Sequence, residues 1–442
     1  LLSLLFIYIY MLKISRKMQI NTIRDHVIHF KKKVFIGKNI KAWSPPLVAD
    51  INMDGILEII IGTTNGLFII SSWNYSIIAR FPIKSYNGFH DNIRIGNVDN
   101  DLELEIVALN ASITGLDNIW IIDGKNLEVE NIINVSVAQF CLADVNNDGK
   151  MEIIVRANNT FECFSANGSV IWMKKLDDYV LGISDLVDFA ASDIDNDGFP
   201  EFIVPARSIS SSSSNSLLVF DSNGSLIWCY KFNFTRNEGL SGSLLVADLN
   251  DDNEKEVILY SGIKYEESSR IFILNTITKN ISLEIECGEI GWSYISTGDI
   301  NGDDKKEIIL VDDFTYHFYI INSQGKVLFN DEIGFGNSCG GFAAVGDVDG
   351  DNVCEIIMVT KYRLIVFDFN NLVYYYHELV GGFVSHPVLA DIDQDGKFEI
   401  LFTNSENGPP SALYLYVFST NGSKIEFSMP GVDLCYSNNY IG

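Results

Sequence analysis

One acidic nonapeptide recurs along this chain, and its repetition constrains the fold more than any other feature. The eight copies are DINMDGILE (50–58), NVDNDLELE (97–105), DVNNDGKME (144–152), DIDNDGFPE (193–201), DLNDDNEKE (248–256), DINGDDKKE (299–307), DVDGDNVCE (347–355) and DIDQDGKFE (391–399). Successive copies begin 44 to 55 residues apart. This period is typical of a four-stranded propeller blade and not of leucine-rich or helical repeats. At 442 residues the chain also exceeds the size of an ordinary single core, whereas a closed repeat architecture grows by adding units.

Each nonapeptide lies between two predicted strands. Its final Glu is followed by a short run rich in Ile and Val, such as EIIIGT or EIILVD, which is typical of a buried strand. A third strand comes next, and in four copies an Asn-Gly-type hairpin turn then leads to a fourth strand. These turns are Asn167-Gly168, Asn223-Gly224, Gln324-Gly325 and Asn421-Gly422. The unit is therefore four antiparallel strands, and the acidic segment joins the first strand to the second.

The predicted fold class is all-β, an eight-bladed β-propeller of four-stranded antiparallel blades. Seven blades plus a stray hairpin is the alternative. We predict that residues 42–442 form the propeller, with the segment KIEFSMP (424–430) as the fourth strand of the last blade. Residues 1–41 are predicted to be a separate N-terminal segment, and any membrane association is expected through it alone. Its apolar run Leu1–Leu12 is too short to span a bilayer comfortably, so a truncated secretion signal, a cropped membrane anchor and a misassigned start all fit.

The nonapeptide, whose residues we number 1 to 9, predicts a cation-binding loop. Position 5 is always Asp and position 9 always Glu, while positions 1 and 3 are Asp or Asn in every copy. Calcium takes about 6–8 oxygen ligands, and loops with oxygen side chains at positions 1, 3 and 5 and a later carboxylate wrap around it. Asp and Asn are also ordinary turn residues, but turn chemistry alone does not explain eight copies with the same Glu. We therefore predict up to eight bound calcium ions.

The predicted ligands are the side chains at positions 1, 3, 5 and 9. They are Asp50, Asn52, Asp54, Glu58, Asn97, Asp99, Asp101, Glu105, Asp144, Asn146, Asp148, Glu152, Asp193, Asp195, Asp197, Glu201, Asp248, Asn250, Asp252, Glu256, Asp299, Asn301, Asp303, Glu307, Asp347, Asp349, Asp351, Glu355, Asp391, Asp393, Asp395 and Glu399. These positions carry 27 carboxylates, which match the net charge of −27, so the rest of the chain is close to neutral. So acidic a surface repels phosphate backbones, and no nucleic-acid partner is expected.

The copies are expected to differ in affinity. The loops beginning at Asp193, Asp347 and Asp391 have carboxylates at all four ligand positions, and two of the three also have Gly at position 6. The loop beginning at Asn97 lacks the first carboxylate and has Leu102 at position 6, where a sharp turn favours a left-handed backbone. We therefore expect calcium to bind most tightly at Asp193 and Asp391, and last or never at Asn97.

The spacing D-x-[DN]-x-D-G-x-x-E resembles the FG-GAP and VCBS repeats of integrin α-subunit head domains and many microbial surface proteins. This resemblance covers nearly the whole chain after residue 42 and implies a calcium-binding propeller. Integrin loops usually end in Asp, and integrin propellers have seven blades, so this chain departs from them on both points. The trace from Val219 to Trp228 also resembles blades of quinoprotein dehydrogenases, whose propellers have eight blades. The rest of the chain does not match those enzymes, and no quinone is inferred.

A partner is expected on the face opposite the acidic loops. The connections between blades lie there and contain aromatic residues suited to a protein or glycan ligand. The candidate ligand-binding residues are Trp43, Tyr179, Trp292 and Phe335. The simpler alternative is that such aromatics plug the central channel or cover blade edges.

The resemblance favours a non-catalytic, calcium-stabilised binding or adhesion module that is extracellular or at the cell surface. The competing class is a propeller-fold carbohydrate-active enzyme resembling a polysaccharide lyase. Such an enzyme needs a cleft with a Lys, Arg or His base beside the calcium, and no such cluster stands out in the sequence. We therefore expect no catalytic residues.

Overall fold

The computed structural model describes residues 27–42, 44–83, 93–99, 101–110, 117–135, 139–157, 159–181, 189–209, 214–234, 239–240, 244–262, 269–287, 293–312, 317–332 and 343–427. These residues form eight antiparallel sheets and contain no helix. Consequently, no segment among them is a long apolar helix able to cross a membrane. The prediction of an eight-bladed propeller is confirmed, and the seven-bladed alternative is wrong.

The strands follow one another blade by blade around the ring. An N-terminal strand, β1 (His29–Lys38), precedes the first blade in the sequence. The first three blades are β2 (Leu47–Ala49), β3 (Glu58–Thr63), β4 (Gly66–Ser71) and β5 (Ile77–Phe81); β6 (Ile93–Gly96), β7 (Glu105–Asn110), β8 (Asp117–Ile122) and β9 (Val129–Val135); and β10 (Gln139–Ala143), β11 (Glu152–Arg156), β12 (Thr160–Phe164) and β13 (Val170–Lys175).

The innermost strand is split into two pieces in the fourth, fifth and eighth blades. The fourth blade is β14 (Tyr179–Leu181), β15 (Ala190–Ser192), β16 (Glu201–Ser208), β17 (Ser214–Phe220) and β18 (Leu226–Asn233). The fifth is β19 (Gly239–Leu240), β20 (Leu245–Ala247), β21 (Glu256–Gly262), β22 (Arg270–Asn275) and β23 (Asn280–Glu286). The sixth is β24 (Ser293–Gly298), β25 (Glu307–Asp312), β26 (His317–Ile321) and β27 (Val327–Glu332).

The last two blades recruit strands from the ends of the described chain. The seventh is β28 (Ala344–Gly346), β29 (Glu355–Thr360), β30 (Arg363–Asp368) and β31 (Val373–Glu378). The eighth is β32 (Gly382–Val384), β33 (Val388–Ala390), β34 (Glu399–Glu406) and β35 (Ala412–Ser419). The final strand, β36 (Ile425–Phe427), pairs with β28, and β1 pairs with β35.

These pairings revise the predicted boundary at residue 42. Strand β1 forms the outermost strand of the eighth blade, so His29–Lys38 belong to the propeller and do not precede it. The segment expected in that place, residues 424–430, instead contributes β36 to the seventh blade. Because β1 pairs with β35, the backbone N–H and C=O groups along the outer edge of β35 have hydrogen-bond partners from the other end of the propeller sequence. This pairing also ties the two ends of the propeller together.

The core lies between neighbouring blades. The second strand of each blade is almost wholly buried, as in β29, where all six residues from Glu355 to Thr360 are buried. The cores are continuous across blade boundaries, and one cluster joins Ile59 and Ile61 of the first blade to Leu401 of the eighth and Val34 of β1. The hydrophobic effect therefore closes the ring as well as filling each blade.

Three of the four predicted hairpin turns are present. Gly168, Gly224 and Gly325 have φ of 81°, 72° and 80° and lie between the third and fourth strands of their blades. The fourth prediction is wrong, because Asn421-Gly422 leads from β35 to β36 in another blade. There Gly422 packs so closely on the seventh acidic loop that an added Cβ would lie 1.6 Å from the Asp347 carbonyl oxygen.

Candidate functional site: a ring of acidic loops

The eight nonapeptides form loops at one end of the propeller, and we call them the first to eighth loops. Each joins the innermost strand of its blade to the second strand. Neighbouring loops are linked directly: Leu104 donates its N–H to the Ile51 carbonyl at 3.0 Å, and Lys306 does the same to Leu249 at 3.1 Å. Between the eighth and first loops, Gln394 Nε2 donates to the Gly55 carbonyl at 2.6 Å. Hydrogen bonds thus link the first loop to the second and the eighth, and the fifth loop to the sixth.

The Asp at position 1 organises seven of the eight loops. Its Oδ1 accepts the N–H of position 5 at 3.1–3.3 Å, and its Oδ2 accepts the N–H of position 6 at 2.8–3.0 Å. In these loops position 6 has a left-handed backbone, with φ between 65° and 91°. The sequence pattern thus encodes a shared loop geometry through local hydrogen bonds.

The Glu at position 9 is buried in every loop, with 0–6% of its surface exposed. One of its oxygens, Oε2, accepts the N–H of position 2 at 2.7–3.3 Å in all eight copies. This bond fastens the start of the loop to the second strand. It leaves the other oxygen, Oε1, for a second partner, because a carboxylate has acceptor capacity on both oxygens.

Burial raises the pKa of these Glu side chains, and the position 2 N–H offsets only part of that effect. The pKa is raised to about 7 for Glu58, Glu152, Glu201, Glu256 and Glu307. For Glu105 it is raised to about 8 and for Glu355 to about 9. Desolvation disfavours the charged form, and the neighbouring Asp side chains add to this cost. A cation beside these groups would reverse it.

Position 3 sorts the loops into two kinds. In the first, third, fifth and sixth loops it is Asn. In the third and sixth, its Nδ2 donates to Oε1 of the buried Glu at 3.2 Å (Asn146) and 2.7 Å (Asn301). The second, fourth, seventh and eighth loops have Asp at position 3. In each of these four, ligand oxygens of three acidic residues lie within 4.8 Å of one another. These four groups are the arrangements that could hold a metal ion.

Two of the groups come wholly from positions 1, 3 and 5. They are Asp193, Asp195 and Asp197 in the fourth loop, and Asp347, Asp349 and Asp351 in the seventh. The eighth-loop group is Asp391, Asp393 and Glu399. The second-loop group is Asp99, Glu105 and Glu130, and Glu130 lies outside the nonapeptide, in β9. The sequence analysis missed Glu130, because nothing local relates β9 to the loop.

The eighth loop already contacts a cation of the protein itself. Lys31, in β1, places its Nζ 2.5 Å from Asp393 Oδ2 and 2.8 Å from Glu399 Oε1. Burial disfavours the ammonium, but its hydrogen bonds to Asp393 and Glu399 outweigh that effect and raise the pKa of Lys31. Burial raises the pKa of Glu399, and Lys31 offsets part of the rise. The sequence analysis missed this contact because it placed Lys31 outside the propeller.

The second loop departs from the shared geometry. Asn97 has no second carboxylate oxygen, and its Nδ2 donates instead to the Asp101 carbonyl at 2.8 Å. Leu102, at position 6, is 74% exposed and is not among the residues with positive φ. The backbone of this loop therefore differs at position 6 from that of the other seven loops.

Most of the predicted ligand-binding residues fall outside the described part of the chain. Trp43, Trp292 and Phe335 lie there. Tyr179, at the start of β14, is half-buried and packs against the core shared by the third and fourth blades. Its hydroxyl lies 3.9 Å from Cys229 Sγ, and burial raises its pKa.

Solved structures resemble this fold at low sequence identity. Quinohemoprotein alcohol dehydrogenase ADHIIG from Pseudomonas putida HK5 matches with a TM-score of 0.61 and 9% identity, over 91% of this chain and 77% of that one. The Dos1 propeller matches with a TM-score of 0.56 and 13% identity, over 91% and 97%. BBS1N, crystallised with ARL6DN, matches with a TM-score of 0.50 and 10% identity, over 89% and 97%.

No protein-family model matches the chain, and no curated protein matches it. At identities this low the solved structures share the fold alone. The chain is an eight-bladed β-propeller with a ring of acidic loops at one end.

Proposed function

We propose that this propeller is a calcium-stabilised, non-catalytic binding or adhesion module of the FG-GAP/VCBS repeat type. One observation carries the calcium part of the proposal: four loops bring ligand oxygens of three acidic residues within 4.8 Å of one another. Carboxylates this close repel one another unless a cation or a proton neutralises them. The surrounding donors are all oxygens, which suits a hard cation.

Calcium fits these loops better than magnesium does. Magnesium requires near-ideal octahedral geometry and retains its waters, whereas calcium tolerates irregular sets of oxygens. The loops also provide an acceptor that needs a cation, because Glu105 Oε1 is buried and has no hydrogen-bond donor among the described residues. In a calcium-loaded loop, positions 3, 5 and 9 would hold the ion, and Asp at position 1 would both bind it and shape the backbone.

The binding role and the location outside the cell are supported by the resemblance of the loops to those repeats. Extracellular calcium modules bind the ion at about 10⁻⁴–10⁻³ M, which matches exposed loops of this kind. We propose that a protein or glycan binds the opposite face. Calcium then acts on the partner indirectly, by fixing the blades that carry that face.

The calcium part is tested by stripping the protein with EDTA and measuring its melting temperature in EDTA, in millimolar magnesium and in millimolar calcium. We expect calcium to raise the melting temperature by many degrees over EDTA, and magnesium to raise it much less. Identical melting curves in all three conditions would contradict the proposal.

The binding part is tested by protein-binding and glycan-array screens of the calcium-loaded protein. Substitution of Trp43, Trp292 or Phe335 by Ala should then weaken binding and leave melting largely unchanged, whereas substitution of Tyr179, which packs against the core, should also lower stability. A loss of about 3–5 kcal/mol of stability at all four positions would instead identify them as core residues. Cleavage of a polysaccharide by the calcium-loaded protein would contradict the non-catalytic role.

A further inference from the structure

The outermost strand of a blade contacts the acidic loop of the same blade through a β-bulge. In the second blade, Val129 pairs with Ile122 and Asn131 with Ile121, which leaves Glu130 as the extra residue. In the eighth blade, Phe30 pairs with Phe418 and Lys32 with Val417, which leaves Lys31. A bulge redirects the side chain of its extra residue.

Glu130 and Lys31 occupy equivalent positions. Ile122 and Phe418 pair with Ile106 and Ile400, the residues that follow the position 9 Glu in the two blades. Five other blades have the same bulge, but its extra residue is uncharged. The residues are Ile78, Ile171, Ile227, Ser282 and Leu328. Only Glu130 and Lys31, of opposite sign, bring a charge to this position among these seven blades.

The eighth blade shows what this position can do. The Lys31 ammonium reaches Glu399 Oε1 and Asp393 Oδ2, the position 9 and position 3 side chains of the eighth loop. A positive charge is therefore stable at this place in the loop. It supplies the second partner that the buried Glu needs.

The second blade has the same buried Glu, and the charged side chains that act on it in the described part of the chain are Asp99, Asp101 and Glu130, all acidic. Glu105 is fully buried, and its Oε2 accepts the Val98 N–H at 2.7 Å. Its Oε1 is buried without a donor among the described residues, and so is Asn97 Oδ1 in the same loop. A buried acceptor without a partner is costly. Lys125 pairs with Glu103 of the same loop, and its side chain is largely exposed.

We propose that Glu130 completes a divalent-cation site in the second blade, in place of the carboxylate that Asn97 lacks, and that Lys31 fills the equivalent site in the eighth blade so that no ion binds there. The second-blade ligands are Asp99, Glu105 and Glu130, whose oxygens lie within 4.8 Å of one another. The residue at the bulge thus decides whether a loop takes an ion. This inference rests on the proposed function for the identity of the ion, which is calcium.

Charge-reversal variants test the proposal by isothermal titration of calcium into EDTA-stripped protein. E130K should bind one ion fewer than the unmodified protein, because its ammonium replaces the ion. K31E should bind one ion more, because it removes the internal cation and adds a ligand. Two controls change the net charge equally nearby, E128K and K32E, and both should keep the unmodified number of ions.

Milder variants keep the test valid if a charge reversal prevents folding. E130Q should weaken one site by about tenfold or more, and K31M should still gain an ion. Adding N97D to E130Q should restore the lost affinity, because it returns the first carboxylate. Terbium anomalous scattering from crystals of the unmodified protein should show a peak beside Glu130 and none beside Lys31.

The outcomes separate this inference from the proposed function. The proposed function by itself predicts that D195N, in the fourth loop, binds one calcium ion fewer than the unmodified protein. If D195N loses an ion while E130K and E130Q keep theirs, the proposed function stands and this inference is overturned. If the unmodified protein binds no calcium, both are overturned. An ion count that changes equally in E128K and E130K would also overturn the inference, since net charge would then explain it.

Discussion

The second and eighth blades carry the same acidic loop but satisfy it in opposite ways. The second blade is continuous in sequence, and its outer strand offers Glu130 to a loop that ends 25 residues earlier, at Glu105. The eighth blade takes its outer strand from the other end of the propeller, and Lys31 reaches Glu399, 368 residues away. The comparison indicates that the buried Glu of the loop is stabilised by a positive charge beside it. On our proposal, the outer strand determines whether a lysine or a metal ion supplies that charge.

Removing the buried carboxylate of the eighth loop, Glu399, should lower stability more than any other change in this comparison. E399A leaves Lys31 with one partner fewer and the Ile392 N–H without its acceptor. We expect a loss of about 1–3 kcal/mol of unfolding free energy, because the Ile392 N–H is left buried without an acceptor and the partly exposed Lys31 keeps only Asp393. The loss should be the same in EDTA and in calcium, as measured by urea denaturation. A loss seen only in calcium would mean that a metal, and not Lys31, occupies the eighth loop.

The matching change in the second loop should depend on calcium. E105Q replaces a buried carboxyl group whose ionisation is disfavoured by burial, so in EDTA we expect stability to be equal or higher. In calcium at ten times the dissociation constant, the variant should lack the roughly 1.4 kcal/mol that one occupied site contributes. Urea denaturation measures the stability of the variant in EDTA and in calcium. A loss of stability in EDTA comparable to that of E399A would break the contrast between the loops.

The pH dependence of the calcium-free protein should follow the buried Glu side chains. The pKa of Glu105 rises from 4.5 to about 8 on folding, and that of Glu58 from 4.5 to about 7. Between these values the folded state binds more protons than the unfolded state, so stability should fall as pH rises through this window. We expect the melting temperature in EDTA to rise by several degrees from pH 8 to pH 5.

Calcium and E105Q provide the controls for this pH dependence. Calcium competes with protons for the same carboxylates, so it should flatten or reverse the trend. E105Q should reduce the slope between about pH 5 and pH 8, and it should remove a larger share of the slope above pH 7, where Glu58 contributes less. A melting temperature in EDTA that rises with pH would show that these side chains are not protonated in the folded protein.

The smallest effect is expected from the backbone of the second loop. Position 6 has positive φ in the other seven loops, and Leu102 does not adopt it. L102G should let this loop take the common shape and tighten calcium binding by no more than about thirtyfold, the equivalent of the roughly 1–2 kcal/mol that a branched side chain costs in that region. Competition with a chelator dye measures the change. Weaker binding in L102G would mean that the distorted shape is the one that suits Glu130.

The amino-acid sequence by itself determined the blade count, the strand order within blades and the shared loop. The eight acidic copies and the Ile-rich runs after them act over a few residues, through turn hydrogen bonds and burial of alternate side chains. The Asp at position 1 and the Glu at position 9 bond to backbone groups of their own loop, as in Asp50 with Gly55 and Glu58 with Ile51. Such contacts can be inferred from spacing alone.

Only the tertiary structure decided what completes each loop. Glu130 and Lys31 are unremarkable charged residues in their own strands, and neither carries a local signal that points to a loop. They become equivalent because outer strands pair in the same register and bulge at the same place, and β1 does so only after the ring has closed. Counting loop carboxylates ranked the eighth loop among the best sites and the second as the worst, whereas our proposal from the positions of Glu130 and Lys31 predicts the reverse order for these two loops. The physical reason is that the affinity of a site for a cation depends on all the charges close to it in space, and strand pairing brings together charges that are far apart in sequence.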